Sequence, residues 1–314
     1  MKKSILISLT IVSFIILFVT YIRSAQPLFI YTMVNVNINT QGDAHLIELP
    51  NGKVVLIYAG YSSQAVKSLV PLLKRKDIRA IDLFFVSHAH RDHYEGAFNI
   101  LDAGIEIKRL LVHRPPNLQS ICKADCCCQY SSFLKLTQML PVSDLSVGQK
   151  IDLADDVWLR IIDLWKTGDS VTDINDTSVI MKLETAKYSI LFTGDLNKKR
   201  SERLVGNVDL KANILKLPHH GADSMAVSAF HETVNAEVFF APSPENLWFS
   251  DRASRSRKIA EENNIETFVN GLHGMVTLTG YANYYAIQGD GKSYKSKPNG
   301  IVFLPAVQSL LNGK

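Results

Sequence analysis

The chain has 314 residues, and its 46% hydrophobic content allows a large buried core, as one large domain or two smaller ones. No repeat or low-complexity tract divides it. The formal net charge is +4, but Lys2, Lys3 and Arg23 contribute three of the positive charges, and without residues 1–25 the net charge is close to +1. This near-neutral balance gives no electrostatic footprint for nonspecific binding to a polyanion.

The N-terminal segment is an uncharged, largely apolar run of 19 residues, Ser4 to Ile22, with basic residues on both sides. It is near the roughly 20 residues that cross a bilayer, so residues 1–25 are predicted to be a membrane anchor or a signal peptide. Both stay open, because cleavage after Ala25 would put Arg23 where a small residue is expected. Either reading predicts an exported protein, periplasmic or anchored to the inner membrane facing the periplasm, with one domain over residues 26–314.

The domain begins with a strand-rich region. Hydrophobic, β-branched runs predict strands at 29–36, 44–48 and 54–57, and Asn51-Gly52 is a strong hairpin turn. A helix is predicted at 63–74, followed by a short buried strand at 81–86.

The most informative segment directly follows that strand. His88, His90, Asp92 and His93 place four potential metal ligands within six residues, and a helix is predicted to begin at Tyr94. Imidazole suits zinc and other transition metals, and carboxylate suits harder ions. The spacing predicts a metal site, with enough ligands for two ions.

All four cysteines lie together in a predicted loop after the predicted strand 108–112. Export favours disulfides, and pairing of Cys122 with Cys127 or Cys128 is geometrically the easiest. Metal binding by thiolates is the alternative. His113 directly follows the same strand and is a candidate ligand, proton donor or substrate contact.

Two later strands also end in chemically active residues. The predicted strand 188–192 leads into Thr193-Gly194-Asp195, and the strand 214–217 leads into Pro218-His219-His220-Gly221. Asp195 and at least one of the two histidines are predicted ligands, although Asp195 could also cap a helix at 196–204. Further strands are predicted near 158–163, 178–184, 237–241, 266–270, 274–279 and 283–287, and further helices at 224–234 and 252–263.

The ordered set His-x-His-x-Asp-His, Thr-Gly-Asp and His-His-Gly resembles the metallo-β-lactamase superfamily. Four further segments, over about residues 30–290, resemble the soluble metallo-hydrolase domain of ComEC-type DNA-uptake proteins and their stand-alone relatives: Gln41-Gly42-Asp43-Ala44, Leu49-Pro50-Asn51-Gly52, Asn175-Asp176-Thr177-Ser178 and Pro218-His219-His220-Gly221. The resemblance implies an α/β fold, a four-layer αββα sandwich of two mixed sheets with the metals at one edge.

The resemblance also implies a ligand set. His88 and His90 would hold the first ion, Asp92, His93 and one of His219 or His220 the second, and Asp195 would bridge the two. Two divalent ions are expected, with zinc first and manganese or magnesium as alternatives. The predicted catalytic residues are Asp92, Asp195, His113 and His220, with the spare histidine of the 219–220 pair or His113 as proton donor.

The sequence departs from the family pattern at two points. Tyr58 stands where the family has an aspartate that supports the metal loop, a loss that typically weakens metal affinity or activity roughly 10- to 100-fold. A histidine that normally completes the first metal site is missing, and Asn175 or Asp176 is predicted to lie there, with His113 as the alternative. Oxygen in place of nitrogen favours manganese or magnesium.

The predicted function is metal-dependent hydrolysis of a phosphodiester, phosphodiesterase- or nuclease-like. A lactonase or β-lactamase reaction is an alternative, and a non-catalytic envelope binding protein is another. The expected partner is a small molecule or a short phosphodiester; the near-neutral charge argues against long nucleic acid. If the leader is not cleaved, the protein is also expected to contact a membrane through it.

Overall fold

The computed structural model describes residues 26–36, 39–123, 128–166, 173–222 and 226–296. The predicted leader, Cys126 and Cys127 lie outside these residues. Within the described ranges, no helix has both the length and the apolar character needed to cross a membrane.

The described residues form eighteen strands. In chain order they are β1 (Phe29–Met33), β2 (Ala44–Glu48), β3 (Val54–Ala59), β4 (Ala80–Ile81), β5 (Leu83–Val86), β6 (Glu106–Ile107), β7 (Leu110–Val112), β8 (Val142–Asp144), β9 (Lys150–Ala154), β10 (Val157–Asp163), β11 (Ile180–Glu184), β12 (Ser189–Phe192), β13 (Ile214–Lys216), β14 (Val238–Ala241), β15 (Glu266–Val269), β16 (Val276–Gly280), β17 (Tyr285–Gly289) and β18 (Lys292–Lys295).

Helical segments connect the strands. The α-helices are α1 (Ser62–Gln64), α2 (Val70–Arg75), α3 (Arg91–Tyr94), α4 (Gly96–Asp102), α5 (Leu118–Lys123), α6 (Tyr130–Met139), α7 (Lys198–Leu204), α8 (Ser228–Val234), α9 (Glu245–Trp248), α10 (Ser254–Glu262) and α11 (Asn270–His273). A π-helical stretch, Ala65–Leu69, joins α1 to α2, and short 3-10 helices cover Ile174–Thr177, Pro218–Gly221 and Asp251–Ala253.

Two large sheets carry the architecture. The first has the order β18-β17-β16-β1-β2-β3-β5-β7-β8, and the second has the order β15-β14-β13-β12-β11-β10-β9. Each is mixed: β3, β5, β7 and β8 are parallel neighbours in the first, as are β12 to β15 in the second, and the other pairs are antiparallel. The short strands β4 and β6 form a separate parallel pair.

Three hydrophobic clusters hold these layers together. One lies between the sheets and contains Tyr31 and Ile57 from the first sheet and Ile190 from the second. A second cluster joins the outer face of the first sheet to α2 and α4, and a third joins the outer face of the second sheet to α7, α8 and α10. The central strands β3, β5 and β14 are buried on both faces and are nearly continuous apolar runs, whereas the edge strands β9 and β18 keep exposed, charged residues. The predicted αββα sandwich is therefore what the chain forms.

The sequence predicts strands most accurately where an apolar run is followed by turn residues, as at β2 and β12. The cysteine region differs, because α5 and α6 form where a loop was expected. The buried Leu118 and Phe133 join the cluster under these helices, so tertiary packing decides the outcome there. Cys122 and Cys128 form a disulfide with a Cα–Cα distance of 5.1 Å, one of the two pairings expected.

Candidate metal centre

The predicted ligands converge at one rim of the sandwich, where parallel strands end. His88 follows β5 in the first sheet, and Asp195 and His220 follow the neighbouring strands β12 and β13 of the second. Asp43 joins them from the start of β2. Four short connections therefore bring side chains that are far apart in sequence into one buried cluster.

Unusual backbone conformations shape this rim. His219 and His220 both have positive φ, 50° and 61°, a region that non-glycine residues seldom adopt. Gly194 has φ 52°, and a Cβ there would lie 2.8 Å from Ser178 Oγ and 2.9 Å from Ser87 Cβ. The turn before Asp195 therefore requires glycine. Strain of this kind persists only where the surroundings hold it, and it concentrates at functional sites.

The first group of candidate ligands is His88, His90 and Asp195, all buried. His88 Nε2 lies 3.1 Å from His90 Nδ1 and 4.0 Å from Asp195 Oδ2. The other nitrogen of His88, Nδ1, is 2.9 Å from Ser87 Oγ and 3.3 Å from Ser178 Oγ. Neutral hydroxyl groups thus hold the His88 ring so that Nε2 faces the cluster.

The second group is His93, His220, Asp195 and Asp43. Asp195 Oδ1 lies 3.2 Å from His93 Nε2, and Asp195 Oδ2 lies 3.4 Å from His220 Nε2. Asp92 borders this group, with Oδ2 3.1 Å from His220 Nε2. Asp195 belongs to both groups, so its carboxylate would be within reach of an ion held by either one.

Asp43 supports the second group from behind. Its carboxylate oxygens lie 3.7 Å from Nδ1 of His93 and 3.7 Å from Nδ1 of His220, so the Nε2 atoms of both rings turn toward Asp195. A carboxylate on the far nitrogen fixes the orientation of a metal-binding histidine and makes it a stronger ligand. Burial alone would raise the pKa of Asp43, but Lys216 and His220 hold it well below its usual value, so Asp43 is ionised.

Lys216 is fully buried within the cluster. Its Nζ forms an ion pair with Asp43 Oδ2, donates a hydrogen bond to the Gly194 carbonyl at 2.9 Å, and lies 3.7 Å from Asp195 Oδ1. An ammonium group is stable in such a place only when opposite charge surrounds it. Lys216 therefore balances part of the negative charge of the buried aspartates.

Two further polar residues continue this network into the core. His45 Nε2 lies 3.3 Å from Asp43 Oδ1, and His45 Nδ1 lies 2.8 Å from the Tyr31 hydroxyl. Both side chains are fully buried between the sheets. They fix Asp43 from the side opposite the histidines.

Tyr58 packs against the cluster without supplying a carboxylate. Its ring lies edge-on to His93, with centroids 4.9 Å apart, and Lys216 Nζ is 5.8 Å from its centroid. Burial raises the pKa of the phenol well above its usual value, so it stays neutral. The supporting carboxylate that the sequence seemed to lack at Tyr58 comes instead from Asp43, on the neighbouring strand.

The residues fit divalent metal ions. His93 Nε2, His220 Nε2 and Asp195 Oδ1 are buried and make no hydrogen bond of good geometry within the described part of the chain. Leaving such atoms unpaired costs about 1–3 kcal/mol each, which a bound cation would remove. Nitrogen with oxygen donors suits zinc and manganese.

Two predicted site residues, Asp176 and His219, lie outside the two groups. Asp176 accepts a hydrogen bond from Asn197 Nδ2 and caps the 3-10 helix Ile174–Thr177, so its side chain serves the local fold. His219 Nε2 is 3.8 Å from Asp195 Oδ2 and more exposed than His220, which puts it at the edge of the cluster. The structure brings His220 of this pair into the second group. Asp176 as a ligand has no support from its position.

His113 lies in a groove beside the rim. The register pairs Val86 with Val112, so the segments that carry His88 and His113 leave the sheet side by side. The groove has a volume of about 530 Å³ and is lined by His113, Arg114, Tyr130 and Phe133, among others. Burial lowers the pKa of His113, so its imidazole is neutral near pH 7.

Sequence reasoning missed Asp43 and Lys216 as site residues. Asp43 stands in the Gln41-Gly42-Asp43-Ala44 motif, which carried the resemblance without a role for the aspartate. Lys216 was visible as a single charge inside an otherwise apolar strand, Ile214–Lys216. A lysine at such a position needs a buried partner, and that was the available signal.

The sequence is similar to ComE operon protein 3 of Bacillus subtilis (strain 168), with 24% identity over 254 residues. These residues are 75% of this chain and 31% of that protein, so the chain spans about a third of the length of that relative. No family model matches the sequence. The predicted resemblance to ComEC-type proteins is confirmed at this level.

Structural similarity extends to solved structures of low sequence identity. A mutant of the CmlA β-hydroxylase has a TM-score of 0.51 and 11% identity, covering 81% of this chain and 54% of that one. Tm1679, described as a metal-dependent hydrolase of the β-lactamase superfamily, has a TM-score of 0.47 and 13% identity, covering 86% of this chain and all of that one. The two mixed sheets with helices on their outer faces form the four-layer sandwich that the resemblance to the metallo-β-lactamase superfamily implied.

Proposed function

We propose that this protein is a metal-dependent hydrolase with a binuclear centre. The main support is the position of Asp195, whose carboxylate is shared by two groups of buried histidines. His88 and His90 would hold one ion, and His93, His220 and Asp92 the other. Ions held there supply Lewis acidity, which activates water and stabilises the negative charge that develops on the substrate.

The chain itself supplies orientation and exclusion of water. Ser87 and Ser178 fix the His88 ring, and Asp43 fixes His93 and His220. Because these groups are held before substrate arrives, little reorganisation is needed during the reaction. The expected rate advantage comes from this prearranged geometry.

His219 is the residue we propose to pass a proton to the leaving group. It is partly exposed at the edge of the cluster, and its Nε2 lies 3.8 Å from Asp195 Oδ2. His220 is fully buried among carboxylates and is better placed to hold an ion. This divides the doubled histidine into one ligand and one proton donor.

The proposed substrate is a short phosphodiester. The groove beside the rim has the volume of a small-molecule site, and Tyr130 offers an aromatic surface on which a base can stack. It is too small for a long nucleic-acid track, in keeping with the near-neutral charge. The sequence likeness to ComE operon protein 3 and the motif resemblance support the same class.

The test uses the full-length chain, purified in detergent and supplied with zinc or manganese. Turnover is measured on bis(p-nitrophenyl) phosphate, on short oligonucleotides, on a chromogenic β-lactam and on a lactone. We expect hydrolysis of the phosphodiesters, lost in Asp195→Asn and retained in Asp251→Asn, which removes an exposed carboxylate that belongs to neither group.

Each other outcome contradicts part of the proposal. Hydrolysis of the β-lactam or lactone without the phosphodiesters would keep the metal centre and replace the substrate class. Two bound ions with no turnover on any substrate would favour the binding-protein alternative. The absence of an aspartate at position 58 favours that alternative, but Asp43 places a carboxylate beside His93 and His220.

We also propose that the domain works outside the cytoplasm. The Cys122–Cys128 disulfide supports this, because such bonds persist in oxidising compartments. Cell fractionation, with thiol labelling of the protein under non-reducing conditions, tests it. A cytoplasmic protein with all thiols free would contradict the proposal.

A further inference from the structure

We infer that the side-chain oxygen of Asn175 completes the first group of ligands, His88, His90 and Asp195. This rests on the proposed binuclear centre and deepens it. Where the family pattern has a histidine, this chain would use a neutral carboxamide oxygen.

The first observation is an unsatisfied polar atom. Asn175 is only 7% exposed, and its Oδ1 is buried without a hydrogen-bond partner among the residues that the structure describes. A buried carbonyl oxygen left unpaired is costly and rare in folded proteins. A cation at this position would satisfy it.

The second observation is where the turn that carries Asn175 is fixed. Ser178 donates its backbone N–H to the Asn175 carbonyl at 3.0 Å, and its Oγ accepts a hydrogen bond from the Asp195 backbone N–H at 3.1 Å. The same Oγ lies 3.3 Å from His88 Nδ1, and the Val179 N–H bonds the Ser87 carbonyl at 3.0 Å. The turn is therefore tied to both segments that carry ligands of the first group.

The other side chains of this turn make contacts away from the first group of ligands. Ile174 packs in the hydrophobic cluster beneath α5, Asp176 binds Asn197, and Thr177 Oγ1 donates to the Ile174 carbonyl at 2.7 Å. Asn175 is thus the one residue of Ile174–Thr177 whose side-chain oxygen is buried and unclaimed within the described chain.

Arg200 makes the turn rigid. Its guanidinium is buried, pairs with Asp163 at 2.7 Å, and donates hydrogen bonds to the backbone carbonyls of Asp176, at 2.7 Å, and Ser178. A turn held on both sides by backbone contacts keeps its side chains in fixed positions. This is what a ligand requires, because a metal site tolerates little movement of its donors.

The chemistry predicts a distinct metal preference. A carboxamide oxygen is a harder and weaker donor than imidazole, so the first position favours manganese or magnesium more than a three-histidine site would. The two positions of the centre would therefore differ in both affinity and metal choice.

The test compares metal binding in four proteins: the wild type, Asn175→Ala, Asn175→His and Asp176→Asn. Stoichiometry is measured by elemental analysis after titration with manganese or zinc, and the Co²⁺ absorption spectrum reports the ligands directly. We expect Asn175→Ala to weaken one ion at least about tenfold and leave the other unchanged, and Asn175→His to raise zinc over manganese preference about tenfold.

Asp176→Asn is the matched control, because it keeps a side chain that can bond Asn197, and it should bind both ions as the wild type does. If Asn175→Ala misfolds, as judged by circular dichroism, Asn175→His carries the test through its altered Co²⁺ spectrum. Unchanged affinities and spectra in the Asn175 variants, with two ions in the wild type, would overturn this inference alone. A wild type that binds no ion would overturn the binuclear centre as well.

Discussion

The two groups of ligands differ in what surrounds them. The first, around His88, is held by the neutral hydroxyls of Ser87 and Ser178. The second, around His93 and His220, has Asp43 3.7 Å from the far nitrogen of each histidine, with Ser87 Oγ also 3.4 Å from that of His93. The second group therefore depends more on charged neighbours than the first.

Because of this difference, we expect the two positions to differ in their affinity for ions and in the protons that binding releases. Charge held close to a ligand raises affinity and couples binding to protonation, whereas a hydroxyl fixes geometry with little charge. Lys216 forms its ion pair with Asp43, which belongs to the second group, and lies 3.7 Å from the shared Asp195. The second position is thus preformed and charge-balanced without metal, while the first depends on hydroxyl contacts and on the turn that carries Asn175.

Asp195 belongs to both groups, so its substitution should affect both positions equally. Asp195→Asn should reduce both ions together, and lower turnover by more than the roughly 10- to 100-fold that losing a supporting residue costs. Elemental analysis and steady-state kinetics check this. If one ion stays at full occupancy, the carboxylate does not bridge.

Lys216→Met should affect stability rather than the number of ions. Removing one partner of a buried ion pair typically costs about 3–5 kcal/mol, because Asp43 loses the cation nearest to it. The loss should be smaller with metal bound, since the ions replace the missing positive charge. Urea unfolding with and without zinc measures both values.

The double variant Lys216→Met with Asp43→Asn is the control, and it should recover much of the stability of the metal-free protein. An equal loss with and without metal, or no recovery in the double variant, would mean that Lys216 acts through packing alone.

Asp43→Asn and Ser178→Ala separate the two positions. Asp43→Asn should weaken one ion roughly 10- to 100-fold by releasing His93 and His220, while Ser178→Ala should weaken the other about fivefold, the value of one hydrogen bond. Calorimetric titration resolves the two binding events. Both variants weakening the same ion would contradict the division.

The sequence predicted the fold and most of this centre because both depend on local order. Buried strands that end in His88, Asp195 or His220 are visible as apolar runs followed by polar residues. Asp43 was hidden because its role depends on β2 lying between β1 and β3, which a linear pattern does not show. Asp176 seemed a ligand by spacing, and only the structure reveals that its side chain binds Asn197.

Proton release on metal binding is the smallest of the expected effects, and it distinguishes the two positions most directly. Burial, with His93 and His90, lowers the pKa of His88 well below 6.5, so it is neutral near pH 7. Burial would lower the pKa of His220 too, but Asp195 and Asp43 raise it well above 6.5, so it is protonated in the metal-free protein. Filling the second position must therefore release the His220 proton, whereas His88 at the first position has no proton to release.

Calorimetry near pH 7, in buffers of different ionisation enthalpy, should detect more protons released with the ion at the second position than with the other, because of His220. In the metal-free protein, His220 stabilises the fold below pH 6.5, and this contribution is lost as pH rises through its raised pKa; the lowered pKa of His88 instead costs stability as pH falls below 6.5. Asp43→Asn removes one carboxylate that raises the pKa of His220, so it should reduce the proton release. Equal proton release with both ions would show that the two positions do not differ in charge as the structure indicates.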